Sequence, residues 1–321
     1  MRAIVCEEYG PIDQLKLQEA EDPKPGKGDV IIQAEAIGVN FPDGLLVQGL
    51  YQVKPPTPFV PGMELVGTVC EVGEGARLKI GDRVAAVSGI GAYAERVRVN
   101  QNAAMPIKPS YDAGEITALI CGYGTAHHAL KQRGQLKPGE TLVVTGASGL
   151  TGLAAVQIGK AMGAKVIAVA STEAKQNTCR ENGADVVLDY ENLKDELKKA
   201  TDGKGADVVF EVVGGEVFDA CSRAVAWNGR LLVIGFADGE IPKFPVNLAL
   251  VKGYSVVGVF WGSFTQKEPE EYAKNMQELL GWYEAGEIKP LVEATFLLED
   301  AVAALNHIHD RKASGKVVLL P

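Results

Sequence analysis

Three glycines spaced three apart, Gly146, Gly149 and Gly152, follow the short β-type run Leu142–Thr145 and open an apolar helical stretch from about Leu150 to Met162. That spacing suits anion capture. Gly146 permits a sharp exit from the strand, Gly149 lets the backbone approach a pyrophosphate with no side chain in between, and Gly152 lets helix and sheet pack closely. Ser148, Leu150 and Thr151 complete the turn, and the helix N-terminus offers its free amides to phosphates. Gly163 then ends the helix, and Lys165–Ala170 (KVIAVA) reads as a second buried strand. Strand, helix and strand fall within the roughly 30-residue span of a dinucleotide-binding unit, which makes a redox enzyme the leading expectation.

The end of the second strand selects the dinucleotide, because an acidic residue there takes the ribose hydroxyls in NAD sites. Here Ala170, Ser171 and Thr172 stand instead, followed by Lys175. Small hydroxyl side chains and a cation suit a 2′-phosphate, so the expected cofactor is NADPH. Glu173 is read as an acid that complements the dipole at a helix N-terminus.

These residues need a scaffold, and the composition supplies one. With 321 residues, 46% of them apolar, the chain can form one large or two medium domains. A net charge of −9 argues against a nucleic-acid or anionic-membrane surface as the main function. No apolar run approaches a membrane span, and acidic residues interrupt the first ten positions, so the expected location is cytoplasmic. Five scattered cysteines read as reduced thiols, and the four histidines, at adjacent or i,i+2 positions, are poorly placed to chelate. No metal is expected.

Residues 1–120 carry short β-type runs (Val30–Ala36, Glu64–Val72, Arg83–Val87, Ala94–Val99) punctuated by Gly and Pro, the texture of a partly closed antiparallel β-domain. A helical stretch follows from Ala113 to about Gln132. Strands at Val186–Leu188, Val208–Glu211, Arg230–Ile234 and Ser255–Val259 then alternate with helices near Leu193–Ala200 and Val217–Ala226, the pattern of a doubly wound parallel sheet. Residues 121–258 are therefore expected to bind the dinucleotide. Residues 259–321, with helices from about Pro269 to Ala285 and Glu299 to Arg311 and a last strand GKVVLL, are expected to rejoin the first domain.

The motifs GVNFPDGLLVQGLY (38–51), PFVPGMELVGTVCEVGEGA (58–76), GDRVAA (81–86), GYGTAHHAL (122–130), DVVFEVVGG (207–215), GRLLVIGFADG (229–239) and GKVVLLP (315–321) resemble, in order and spacing, the zinc-free quinone oxidoreductases similar to zeta-crystallin, within the medium-chain dehydrogenase/reductase superfamily. The resemblance implies an α/β chain with a GroES-like β-rich domain and a doubly wound parallel-sheet Rossmann domain. Met63 stands where the zinc-dependent alcohol dehydrogenases of that superfamily carry a ligand histidine, and Asn40 where they carry a cysteine. Without a Lewis acid, an acceptor already activated by conjugation is the fitting substrate.

The resemblance therefore implies hydride transfer from NADPH to a quinone, with Asn40 and Tyr51 lining the nicotinamide and substrate cleft. It places Thr125 near the nicotinamide ribose and Ser171, Lys175 and Tyr190 at the adenosine phosphate. Val213 and Gly214 would lie along the cofactor, and Gly235, Phe236, Phe260, Trp261 and Gly262 would flank the nicotinamide. Lys316, in the closing G-K motif, is a candidate phosphate or ribose contact, or a surface lysine. Phe41 and Phe264 would help shape a flat acceptor pocket. A homodimer follows from the family's habit of pairing Rossmann-sheet edges. The alternatives are reduction of the C=C bond of enones or enoyl-CoA thioesters, and a non-catalytic NADPH-binding protein. A short-chain dehydrogenase is disfavoured, because Tyr190 and Lys194 directly follow the third strand rather than lying on a later helix.

Overall fold

In the computed structural model, which describes residues 1–321, the β-type runs of the N-terminal stretch assemble around one long strand. The strands are β1 (Arg2–Val5), β2 (Lys16–Glu19), β3 (Asp29–Val39), β4 (Glu64–Val72), β5 (Arg83–Val87), β6 (Arg96–Asn100) and β7 (Ala104–Pro106). β3, with sequence DVIIQAEAIGV, is buried along nearly its whole length, as a strand flanked on both sides must be. One flank of β3 pairs with β4 throughout, whereas the other pairs with β6 over Asp29–Gln33. Helix α1 (Phe41–Val47) leaves the end of β3, and α2 (Ala113–Ala118) follows β7.

Gly122–Lys289 form a second unit with its own core. It begins with α3 (Gly124–His128), between two wider π-type turns at Leu119–Tyr123 and Ala129–Arg133. Strands β8 (Thr141–Val144), β9 (Lys165–Val169), β10 (Val186–Leu188), β11 (Ala206–Glu211), β12 (Val225–Val233) and β13 (Ser255–Gly258) alternate with α4 (Leu150–Ala161), α5 (Glu173–Glu181), α6 (Leu193–Ala200), α7 (Gly215–Ser222) and α8 (Asn247–Lys252). All are parallel, in the order β10-β9-β8-β11-β12-β13. The chain thus winds outward from β8 to one edge and then, beginning with β11, to the other. Such a sheet takes its ligand at the carboxyl ends of the strands, beside this reversal between β8 and β11.

The two helices after β13, α9 (Trp261–Lys267) and α10 (Pro269–Ala285), belong to this second unit and not to the first. α10 is tied to α3 and the turn after it: buried His127 meets Glu278 at 3.0 Å, and Gln132 donates to Asn275 at 2.9 Å. The expected return at residue 259 is thereby corrected to Pro290. The helix expected over Val217–Ala226 is likewise shorter, because Val225 and Ala226 already belong to β12.

Residues from Pro290 complete the first unit with β14 (Val292–Leu297), α11 (Ala301–His309) and β15 (Lys316–Leu320). β15 takes the flank of β3 that β6 leaves open, with Val317 opposite Val39, while Gly38 faces Glu64 across the β3–β4 pair. That register brings Glu64 and Lys316 together at Gly38. A Cβ on Gly38 would stand 2.2 Å from Glu64 Oε1 and 2.6 Å from Lys316 Nζ, so the glycine is the space the two side chains occupy. Gly38→Ala is expected to destabilise the protein by about 1–3 kcal/mol, the usual cost of overpacking. Urea unfolding measures it, and a loss below about 0.5 kcal/mol, the range of a neutral surface change, would contradict this account.

Candidate active site

In the second unit the turn after β8 has the geometry of an anion cradle. Gly146 adopts φ +57°, and a Cβ there would meet Val212 Cγ2 at 2.6 Å. Gly152 is required by the turn itself rather than by the sheet, since its Cβ would lie 2.3 Å from Gly146 O. Gly149, by contrast, faces open space, with Gly146 O at 3.5 Å as the only neighbour its Cβ would meet. It also begins α4 with no side-chain cap, so the first amides of a twelve-residue helix are left for an external anion. Ser148 is buried beneath the turn and Leu150 and Thr151 are half-buried at the start of α4. Leu150 packs on Gly122, whose Cβ would touch it.

Tyr190 braces this turn. Its hydroxyl accepts from Gly146 N at 2.9 Å and donates to Val169 O at 3.3 Å, and burial pushes the phenol up to about 12. Both of those bonds tie the hydroxyl to turn and strand backbone, so Tyr190 holds the cradle in shape beside the end of β9. Val213 and Gly214 sit in the turn at the end of β11. Their amides donate to the buried carboxylate of Glu211, at 2.8 Å and 3.1 Å, with Thr145 Oγ1 donating to it at 3.1 Å. Burial raises the Glu211 carboxyl, and these donors counter it. Those two amides are therefore committed to Glu211, and a cofactor running past them meets the Val213 side chain and the bare Gly214 backbone.

At the end of β9, Ser171 is exposed and Lys175 half-buried, and Thr172 caps α5 by accepting from Lys175 N at 3.3 Å. Glu173 occupies the first turn of that helix, where its charge is favourable. The residues present fit a 2′-phosphorylated dinucleotide: an open helix N-terminus for the diphosphate, and a hydroxyl and a cation with no carboxylate at the strand end.

Thr125 lies half-buried on α3, one residue from Gly124, on which the indole of Trp261 rests. The Trp261 Nε1 donor is buried without a partner, Phe260 is exposed, and Gly262 follows in α9. Gly235 has room above it, and Phe236 lies against Gly214. Two aromatics expected at the acceptor pocket are engaged in packing. Phe41 stacks on His309 with centroids 4.5 Å apart, and Phe264 on His128 at 3.8 Å.

The first unit holds a buried polar cluster at the end of β3. Glu64 Oε1 accepts from Lys316 Nζ at 2.5 Å and from Asn40 Nδ2 at 2.8 Å, while Oε2 accepts from Cys121 N at 2.8 Å. Lys316 Nζ donates further to Val39 O and to Asn40 Oδ1, both at 3.2 Å. Lys316 is 0% exposed, which corrects both expectations for it: it is neither a phosphate contact nor a surface lysine. Its charge is neutralised inside the sheet. Asn40 is tied into the same pair, its Nδ2 donating to Glu64 and its Oδ1 accepting from Lys316, which fixes the amide at the end of β3. Breaking such a buried pair is costly, about 3–5 kcal/mol, because the remaining charge is stranded.

Next to this cluster, Asp43 Oδ2 accepts from Asn40 N at 2.8 Å and from the Tyr93 hydroxyl at 3.0 Å. Tyr51 follows α1, half-buried against the core of the unit. Burial, aided by the nearby Cys121 and Asp43 charges, pushes its phenol up to about 12, so it stays protonated at neutral pH. Glu64, Asp43, Tyr93 and Glu211 were not read as site residues. A charge inside an apolar strand, as in MELVG and VVFEVV, is the signal that marks the two glutamates.

A zinc ion does not fit this cluster. It offers an amide, a carboxylate already bound to an ammonium, and that ammonium itself, whereas zinc is held by thiolates, imidazoles and free carboxylates.

The family models that match are the alcohol dehydrogenase GroES-like domain, over residues 26–109, and the zinc-binding dehydrogenase, over residues 151–280. The chain is 40% identical to a quinone oxidoreductase-like protein 2 homolog of Nematostella vectensis, over 99% of this chain and 88% of that protein. A mycobacterial protein solved with NADPH superposes with a TM-score of 0.95 at 32% identity, over 100% of both chains. The Escherichia coli quinone oxidoreductase solved with NADPH gives 0.93 at 27% identity, also over 100% of both. The chain belongs to the zinc-free quinone oxidoreductase branch of the medium-chain dehydrogenase/reductase superfamily, a branch of NADPH-dependent oxidoreductases.

If Lys175 supplies the cation at the 2′-phosphate, Lys175→Ala should raise the dissociation constant for NADPH roughly tenfold or more, the worth of one charged hydrogen bond, and that for NADH by less than about threefold. Fluorescence titration with both cofactors measures this. Equal weakening of the two removes Lys175 from the phosphate site.

Proposed function

We propose that the protein uses NADPH to reduce a quinone by zinc-independent hydride transfer. The observation that carries the cofactor is the uncapped N-terminus of α4 with Gly149 open above it, next to a β9 end that bears Ser171 and Lys175 and no carboxylate. NADPH, when bound, supplies the hydride at C4 of its nicotinamide. The protein's part is to hold, orient and exclude water. The α4 amides with Gly149, Ser148 and Thr151 take the diphosphate. Ser171 and Lys175 take the adenosine phosphate, and Thr125, Gly235, Phe236 and the Phe260–Gly262 backbone orient the nicotinamide end. Tyr51 donates its hydroxyl hydrogen to the acceptor's carbonyl oxygen.

The acceptor has to be activated by its own conjugation, because the Lys316 charge is spent on Glu64 and the cluster supplies no electrophile to a plain carbonyl. A quinone meets that requirement. A conjugated enone or enoyl-CoA thioester meets it too, and the Tyr51 hydroxyl, held protonated by a pKa near 12, can donate to either carbonyl. NADPH oxidation by the purified protein should therefore be fast with a quinone panel and slower with matched enones and an enoyl-CoA. Preference for the enones would make this an alkene reductase on the same scaffold. Tight NADPH binding with no oxidation by any acceptor would leave a non-catalytic binding protein.

The reading extends to a homodimer. β13 is the outer strand of its sheet, with Val256 exposed, and Val246, Leu250 and Val251 around α8 are 76%, 82% and 73% exposed. A second copy related by a two-fold axis would pair β13 with β13 and cover these side chains at once. Sedimentation velocity should show a dimer that Leu250→Asp dissociates. A wild-type monomer at micromolar concentration would refute the assembly.

A further inference from the structure

Tyr51 sits on a stretch of chain that little else holds. Residues 50–58 form no helix or strand. At one end the Leu50 N–H donates to Leu45 O at 2.8 Å, as the chain leaves α1 through Gly49 at φ +69°. At the other end Phe59 and Cys6 exchange backbone hydrogen bonds of 2.8 Å and 3.1 Å. Between these anchors a single hydrogen bond reaches residues 51–58, the one that the Tyr9 hydroxyl donates to Pro55 O.

Burial does not replace the missing bonds. Leu50 and Val53, the aliphatic side chains on either side of Tyr51, are 68% and 52% exposed, and Gln52 and Lys54 are exposed as well. Of residues 50–55, Tyr51 and Pro55 alone are covered, Tyr51 half-buried against the core of the first unit.

Tyr9 is built into that stretch at three points. Its ring lies over Gly49, where a Cβ would come within 3.3 Å of the Tyr9 Cγ, and it faces Phe59 with centroids 6.0 Å apart. Its hydroxyl binds Pro55 O, four residues beyond Tyr51. Tyr9 is itself fixed from behind, since the next residue, Gly10, donates its N–H to Val47 O at 3.2 Å at the end of α1. One side chain thus pins both ends of the segment that carries Tyr51. A segment with few buried contacts and few backbone bonds opens at low cost, so the bond it does have weighs heavily on where Tyr51 points.

We propose that Tyr9 is a positioning residue for the reduction, its hydroxyl clamping the loop over residues 49–55 so that the Tyr51 hydroxyl is held where the acceptor's carbonyl oxygen arrives. The proposal rests on the reading that Tyr51 meets the acceptor. Tyr9 touches neither acceptor nor cofactor and exchanges no proton. It acts by narrowing the range of positions open to Tyr51 before the hydride moves.

Tyr9→Phe tests this, because it keeps the ring on Gly49 and Phe59 and removes only the hydroxyl. With whichever acceptor the wild type reduces fastest, Tyr9→Phe should lower kcat about fivefold or more, the worth of one hydrogen bond, and leave the NADPH dissociation constant within about twofold. In a Tyr51→Phe background the same change should alter kcat by less than about twofold, because no hydroxyl remains to be placed. A clamp that merely stabilised the fold would lower kcat by the same factor in both backgrounds. Chymotrypsin gives a readout independent of turnover. Its cleavage of the native protein after Leu50 or Tyr51, followed by fragment mass, should be at least about threefold faster in Tyr9→Phe. Wild-type kcat in Tyr9→Phe, equal losses in the two backgrounds, or unchanged cleavage overturns the proposal and leaves Tyr51 as the donor. Wild-type kcat in Tyr51→Phe, or a wild type that reduces no acceptor, overturns the parent reading and the proposal with it.

Discussion

The ion pair between Glu64 and Lys316 is the constraint on which the first unit depends. Its partners lie 252 residues apart, on β4 and on β15, and they meet over the one position of β3, Gly38, that leaves them room. Because both charges are taken from water, the pair contributes little net stability by itself; what it fixes is register. A shift of β15 by one residue would turn Lys316 to the other face of the sheet and leave Glu64 buried without a cation. The first 121 residues therefore cannot complete their own core. They wait for a strand made after the whole dinucleotide-binding unit, and such long-range pairing is the slow kind of contact to form.

Three buried acids show how one residue class is put to three uses by its surroundings. Glu64 is bound to an ammonium, an amide nitrogen and a backbone N–H. Glu211 has no cation, but two backbone amides and the Thr145 hydroxyl converge on it, so it shapes the Val212–Gly214 turn at the end of the central strand. Asp43 has donors on one oxygen only. Each further donor favours the ionised form, and Asp43, bare on Oδ1, is the acid pushed to about 7. The polarity of the first unit is thus divided between charges that lock the sheet and one acid that burial pushes towards its neutral form.

What was legible in the sequence is what depends on neighbours in the chain. The turn at Gly146–Gly152 and the strand–helix alternation of 141–258 are local patterns, and the parallel order follows from them. Lys316 was misread because nothing near it in sequence announces a glutamate 252 positions earlier, and a lysine is ordinarily a surface residue. The same limit hides the bond between the Tyr190 hydroxyl and Gly146, 44 residues back. The boundary at 259 failed for a different reason. α9 and α10 are placed by contacts that their own sequence does not announce, Phe264 on His128, Trp261 on Gly124, His127 with Glu278 and Gln132 with Asn275.

The same cluster that completes the sheet also narrows the chemistry. An alcohol dehydrogenase of this superfamily needs a metal to carry the charge of an alkoxide, and the metal needs thiolate or imidazole ligands. Here the corresponding amide, Asn40, is held on both sides by Lys316 and Glu64, and the lysine charge is cancelled within 2.5 Å. No net positive field is left to draw electrons onto a simple carbonyl. On the proposed reading the acceptor delocalises the incoming charge into its own π-system, and the protein has only to place a hydroxyl at the oxygen where that charge collects; Tyr51, whose phenol burial keeps protonated, is the residue proposed for that task.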